Sequence, residues 1–99
     1  MIVRIDLQHR PSEGGEDASY RVSAEYETLY DGAGFSSLVN ALAAAVEGLG
    51  PEVHAAEIAF DGIVSGTYPL STIATRPNEV MQHAVNSAAA VAEAEQDLG

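Results

Sequence analysis

The stretch FSSLVNALAAAVEGL, residues 35–49, carries the clearest helical pattern in the chain. Ser36 or Ser37 can cap the first amides of this predicted helix, while Gly48 and the Gly50-Pro51 pair can end it. The turn residues Asp31, Gly32 and Gly34 come just before it. Its apolar residues recur in steps of three and four and share one face, at Phe35, Leu38, Leu42, Ala45, Val46 and Leu49. The rest of the chain must supply a surface for that face.

Two segments before the helix alternate apolar and polar residues, the pattern of strands with one buried face. Residues 2–7, IVRIDL, form the first predicted strand. The second covers residues 19–28, SYRVSAEYET, and places Tyr20, Val22, Ala24 and Tyr26 on one side. Between them, residues 8–18 combine proline, paired glycines and three carboxylates, which predicts a mobile acidic hairpin loop.

Residues 53–68 after the helix allow two interpretations. Asp61-Gly62 between two apolar runs is a strong signal for a tight β-hairpin, which favours two strands. Alternatively, Gly50 and Pro51 could open a short helix that continues to Ala59. Residues 69–75 read as a connection, and Pro77 suits the first position of a last helix that ends near Gln96.

The predicted order is therefore β-β-α-β-β-α in a single domain spanning residues 1–99. We expect an α+β two-layer sandwich, in which an antiparallel four-stranded sheet carries two helices on one face. The C-terminal residues 93–99 place Glu93, Glu95 and Asp97 at the negative end of the last helix dipole, so this end is expected to fray.

Composition excludes several chemistries. Arginine supplies all 4 basic residues against 15 carboxylates, giving a formal net charge of -11, and the chain has no lysine and no cysteine. Schiff-base lysines, thiol nucleophiles, thiolate zinc sites and iron-sulfur clusters are thus excluded. Direct binding of nucleic acid is disfavoured because its affinity depends on neutralising phosphates with Lys and Arg.

Hydrophobic residues make up 46% of the chain, which is a globular composition. The longest uncharged run, residues 32–46, is shorter than the ~20 residues that a membrane-spanning helix needs, and Arg4 and Asp6 interrupt the first apolar run. We therefore expect a cytoplasmic protein that does not enter a membrane. Arginine without lysine, with many alanines, is typical of a GC-rich bacterial or phage genome.

Two groups of side chains superficially resemble reactive sites. Glu79, His83 and Ser87 share one face of the last helix, but the sequence offers no serine elbow or equivalent oxyanion hole, so a solvated polar face is the simpler interpretation. His54 with Glu57 falls short of the three or four ligands of a zinc site. The sequence predicts no metal, no cofactor and no catalytic set, and leaves His54, His83 and Glu79 as acid-base candidates.

The last helix also contains a seam of small apolar residues. This seam either packs inside the domain or contacts a second copy of the chain. The glutamates that follow either dock on a basic protein surface or only keep the chain soluble. The candidate interaction surface comprises Met81, Ala84, Ala88, Val91, Glu93 and Glu95.

Three functional hypotheses follow from these observations. The first is a small non-catalytic interaction or assembly module, homodimeric, whose acidic surface meets a basic protein. The second is a small enzyme or ligand carrier with a histidine and a carboxylate in a pocket between sheet and helices. The third is a nucleic-acid mimic whose carboxylates imitate phosphates and occupy a DNA-binding protein.

Overall fold

The computed structural model describes residues 1–12 and 15–98, with the backbone alone at residues 10–12, 15–16 and 97–98. It confirms the α+β class. Five strands and three helices follow one another in the order β-β-β-α-β-β-α-α: β1 Ile2–Ser12, β2 Gly15–Ala24, β3 Glu27–Phe35, α1 Leu38–Glu47, β4 Ala55–Phe60, β5 Ile63–Pro69, α2 Leu70–Thr75 and α3 Pro77–Leu98.

The strands form one mixed sheet in the order β3-β2-β1-β4-β5, which corrects the predicted four-stranded antiparallel sheet. β1 lies at the centre, antiparallel to β2 and parallel to β4, with Ile5 opposite Ile58. A parallel pair needs a long crossover connection, and the segment containing β2, β3 and α1 provides it. The two outer pairs, β2 with β3 and β4 with β5, are antiparallel hairpins.

The fifth strand arises from a turn within the second predicted strand. Glu25 and Tyr26 connect β2 to β3, and both have positive φ angles, of 51° and 70°. A two-residue hairpin loop of this kind normally uses Asn-Gly or Asp-Gly, since most other residues are strained in that conformation. Alternation continues through Tyr26 in the sequence, so the pattern concealed the turn.

The composition of Asp31, Gly32 and Gly34 had predicted a turn before the helix. They lie within β3 instead. Gly32 is needed for close packing because a Cβ atom there would meet Tyr20 Cε1 at 2.7 Å. The Tyr20 ring also packs edge-on against Tyr30, with centroids 5.9 Å apart. The aromatic layer under α1 thus depends on a strand glycine.

Helix α1 packs on the sheet as predicted. The Ser37 side chain caps its N-terminus by accepting a hydrogen bond from the Asn40 amide at 3.1 Å. At the other end, the Tyr30 hydroxyl donates to the Ala45 carbonyl, one of the last-turn carbonyls that lack a helical amide partner. Leu42 is fully buried, which contributes about 1.5–3 kcal/mol to folding. The helix is thereby fixed at both ends and along one face.

A single hydrophobic core joins all three helices to one face of the sheet. Its strand residues alternate along the chain, and its helical residues come from α1, α2 and the first half of α3. The largest fully buried side chains are Val3, Ile5, Leu7, Val22, Leu42, Ile58 and Ile73. As predicted, the helices lie on one face of the sheet, and the core lies between them and that face.

The segment after α1 confirms the strand interpretation. Asp61 and Gly62 form the predicted tight turn between β4 and β5, with φ angles of 54° and 83°. The predicted connection at 69–75 instead contains the short helix α2, whose Ile73 enters the core. The last helix begins at Pro77, as predicted, and continues to Leu98.

Of the two predictions on the acidic segments, one is corrected in its bounds and one stays open. β1 continues to Ser12 and β2 begins at Gly15, so the described residues of the expected loop at 8–18 lie in strands, and residues 13–14 lie outside the described part. Fraying of residues 93–99 stays a prediction, since α3 is continuous to Leu98 and Gly99 lies outside the described residues.

Candidate functional site on the uncovered face of the sheet

The helices of the described residues leave the second face of the sheet uncovered. Strand alternation turns Val3, Ile5 and Leu7 of β1 into the core, so Arg4 and Asp6 point to the opposite side. No helix of the described residues packs there, because the helices share the single core on the other side. We call this side the uncovered face. Its cross-strand neighbours include Ser23, Arg4 and Glu57 in one row and Arg21, Asp6 and Ala59 in the next.

An ion-pair cluster occupies the middle of the uncovered face. Arg4 Nε donates to both carboxylate oxygens of Asp6, at 3.0 and 3.1 Å, and Arg4 Nη1 lies 3.5 Å from Glu57 Oε1. The hydrogen bonds to Asp6 raise the pKa of Arg4, and the charges of Asp6 and Glu57 add to this against an opposing effect of burial. The side chains are 31–41% exposed, so solvent limits each pair to roughly 0–1 kcal/mol.

Apolar side chains flank this cluster and remain in contact with solvent. Ile2 is 61% exposed and Val64 is 45% exposed. Ile2 pairs with Ala55 and Val64 pairs with Ala59, which places both on the uncovered face. The face thus combines exposed apolar groups with a fixed polar centre, as interaction surfaces commonly do.

A shallow hollow of about 380 Å³ lies towards the β3 side of the uncovered face. Arg21 lines it between its cross-strand neighbours Asp6 and Asp31. Within the part of the chain that the structure describes, Arg21 forms no ion pair, so its guanidinium faces solvent. Near this hollow the otherwise acidic protein presents a positive charge.

The structure separates the predicted interaction residues into two groups. Met81 and Ala84 are buried in the core at 3% and 0% exposure, so they are not available to a partner. Ala88 and Val91 are half-buried, and Glu93 and Glu95 are exposed. The candidate surface on α3 is therefore reduced to its C-terminal half.

The acid-base candidates do not converge on one site. His54 is exposed just before β4, and His83 is exposed on α3. Glu79 pairs with Arg76, at 3.7 Å, and both line an open groove of about 330 Å³ with His83. Among the described residues no three His, Cys, Asp or Glu side chains form a possible metal site. Within the described residues both histidines are exposed and His83 borders only this open groove, and the second hypothesis stays a prediction.

Alternation had already placed Ile2 on the same side of its strand as Arg4 and Asp6, opposite the buried residues, whereas sequence reasoning missed Tyr26 as a turn residue. Ile2 belongs to an alternating strand, and its exposure follows once Val3 is assigned to the core. No local signal in the sequence indicates the turn at Tyr26, because neither Glu25 nor Tyr26 is a typical turn former.

Comparison of the chain with protein-family models, with curated proteins and with solved structures gave no match. Within the described residues, no helix combines the length and the apolar character that crossing a bilayer requires.

Proposed function

We propose that this chain is a small non-catalytic interaction module that docks on a basic protein through the uncovered face of its sheet. The supporting observation is the exposure of Ile2 and Val64 beside the Arg4 cluster, on a sheet face that no helix in the described part of the chain covers. Burying such apolar groups against a partner yields about 25 cal/mol per Å² before the costs of association.

The net charge favours a basic protein as the partner. A net charge of -11 repels acidic surfaces and speeds encounter with basic ones. The nucleic-acid mimic is a special case of this proposal, in which the basic partner is a DNA-binding protein.

Affinity capture from an extract of the host cell tests this function. The immobilised wild-type chain is compared with Ile2→Thr/Val64→Thr, which reduces the apolar surface with strand-compatible residues. Val85→Thr is the matched control, since Val85 is 37% exposed on α3, away from the uncovered face. We expect wild type and control to retain the same basic protein and the double variant to lose it. Equal retention by all three chains contradicts the proposal.

Self-association is a second candidate, and the C-terminal half of α3 favours it. Residues 92–96 are all exposed, and five successive helical residues cover the whole circumference of a helix, so no side of this part of α3 is buried in the described domain. A second copy could cover it together with Val91.

Sedimentation velocity over a range of chain concentrations tests this candidate. We expect a dimer whose population rises with salt, because salt screens the repulsion between two acidic chains. Val91→Glu should weaken it, while Gln82→Glu, an equal charge change at an exposed position earlier in α3, should not. A strict monomer at the highest concentration would remove self-association.

A further inference from the structure

The turn between β2 and β3 presents an aromatic side chain directly to solvent. Tyr26 has a relative exposure of 108% and a φ angle of 70°, and its neighbour Glu25 has a φ angle of 51°. Within the described residues, the side chain of Tyr26 forms no hydrogen bond and no ring contact. The tyrosine therefore gains nothing from the fold in return for its backbone strain.

This strain is avoidable. A left-handed conformation is unfavourable for residues with a Cβ atom, and Asn-Gly would satisfy the same turn without that penalty. Strained residues persist where the surrounding structure enforces them, as the pairing of β2 with β3 does here, and they are concentrated at functional sites. Tyrosine is also among the residues enriched at binding hot spots, because it offers a large contact area at low cost in conformational entropy.

The turn is continuous with the uncovered face. An open hollow of about 460 Å³ joins them, and Arg4, whose guanidinium is already paired with Asp6 and Glu57, forms part of its floor. Its lining also includes Ile2, Ser23, Glu25, Tyr26 and Glu57. A partner lying on the uncovered face would therefore reach Tyr26 without a change of the fold.

We infer that Tyr26 is the anchor of this surface and that it receives an arginine side chain from a basic protein partner. This inference rests on the proposed function and identifies its contact point. A guanidinium can stack on the tyrosine ring while it forms paired hydrogen bonds to a carboxylate. Glu25 supplies that carboxylate beside the hollow, and Glu57, which already pairs with Arg4, adds negative charge there. A lysine ammonium lacks the planar geometry for both contacts at once.

The first experiment is an NMR titration of the ¹⁵N-labelled chain at low ionic strength with two octapeptides, one of arginine and one of lysine. We expect the largest shifts at Glu25, Tyr26 and Glu57, and affinity for the arginine peptide about two- to fivefold higher, the range of an exposed cation–π contact.

Variants of the turn separate a binding role from a structural one. Tyr26→Gly should raise Tm, because it removes strain. It should also lower the affinity for the arginine peptide to that for the lysine peptide. Glu25→Asn should also raise Tm and weaken binding about twofold. Asp61→Asn is its matched control: Asp61 has a φ angle of 54° at the first position of the β4–β5 turn, and its mutation removes one charge at the other end of the sheet. We expect Asp61→Asn to preserve the difference between the two peptides.

Three outcomes would overturn the inference: equal affinity of the wild type for the two peptides, an undiminished preference for arginine in Tyr26→Gly, or Tyr26 shifts that depend on chain concentration without peptide, which would indicate contact with a second copy. The proposed function fails separately, if capture of the basic protein is insensitive to Ile2→Thr/Val64→Thr, whichever peptide binds.

Discussion

The hydrogen bond from Tyr30 to the end of α1 leads to a quantitative prediction. Tyr30→Phe removes the hydroxyl that donates to the Ala45 carbonyl while the ring can remain against Tyr20. Loss of one such bond costs about 0.5–1.5 kcal/mol. For a domain of this size, 1 kcal/mol corresponds to a Tm lower by about 4–8 °C. We therefore expect Tyr30→Phe to unfold measurably earlier at neutral pH.

The same hydroxyl makes stability depend on alkaline pH. Burial, with a smaller contribution from Tyr20, raises the pKa of Tyr30 above its ordinary value of 10.0. Above that pH the unfolded chain loses the phenolic proton while the folded chain still holds it, so the folded state binds more protons. The free energy of unfolding of the wild type must then fall as the pH rises from about 10 towards the folded pKa. Tyr30→Phe has no such titration, so the difference in free energy of unfolding between the variant and the wild type should shrink at alkaline pH.

Urea denaturation of both chains from pH 7 to pH 11 measures these effects. Tyr68→Phe is the control, because Tyr68 is half-buried but its hydroxyl has no hydrogen-bond partner among the described residues. We expect this variant to stay within about 0.5 kcal/mol of the wild type, as mutations away from specific contacts usually do. A Tyr30→Phe chain as stable as the wild type at pH 7, or a deficit that grows above pH 10, would refute the reasoning.

Three further predictions concern the core and the uncovered face. Leu42→Ala should reduce the free energy of unfolding by about 2–5 kcal/mol in urea denaturation, because Leu42 is fully buried; a loss below 1 kcal/mol would place α1 elsewhere. Gly32→Ala should cost about 1–3 kcal/mol because the new Cβ would lie 2.7 Å from Tyr20 Cε1, and an unchanged urea midpoint would show that the ring moves aside at little cost. Arg4→Met should destabilise the domain by up to about 1 kcal/mol at low salt and less in 1 M NaCl, because it removes the positive charge that pairs with both Asp6 and Glu57. A loss of stability that does not depend on salt would point to packing instead.

Local signals in the sequence predicted the elements that depend on local physics. Asp61-Gly62 specifies its hairpin turn because both residues tolerate positive φ angles, and the serine cap specifies where α1 begins. Alternation likewise identified β1 from Val3, Ile5 and Leu7.

The missed features depend on contacts distant in sequence. The Glu25-Tyr26 turn has unfavourable local propensity, so pairing of β3 with β2 must stabilise it. Gly32 resembled a turn residue because its role, space for the Tyr20 ring, is visible in the folded state alone. The seam at Met81 and Ala84 could equally serve the domain core or a partner, and periodicity does not distinguish these possibilities.

The central position of β1 has a consequence for the order of events during synthesis. Its parallel partner β4 lies roughly 50 residues further along the chain, as the pairing of Ile2 with Ala55 shows. A nascent chain that has completed β1, β2 and β3 therefore carries an unpaired strand edge next to apolar side chains until β4 leaves the ribosome. A pause in translation before Ala55 would prolong the period in which this edge can pair with another chain, and aggregation should start there rather than at the outer strands.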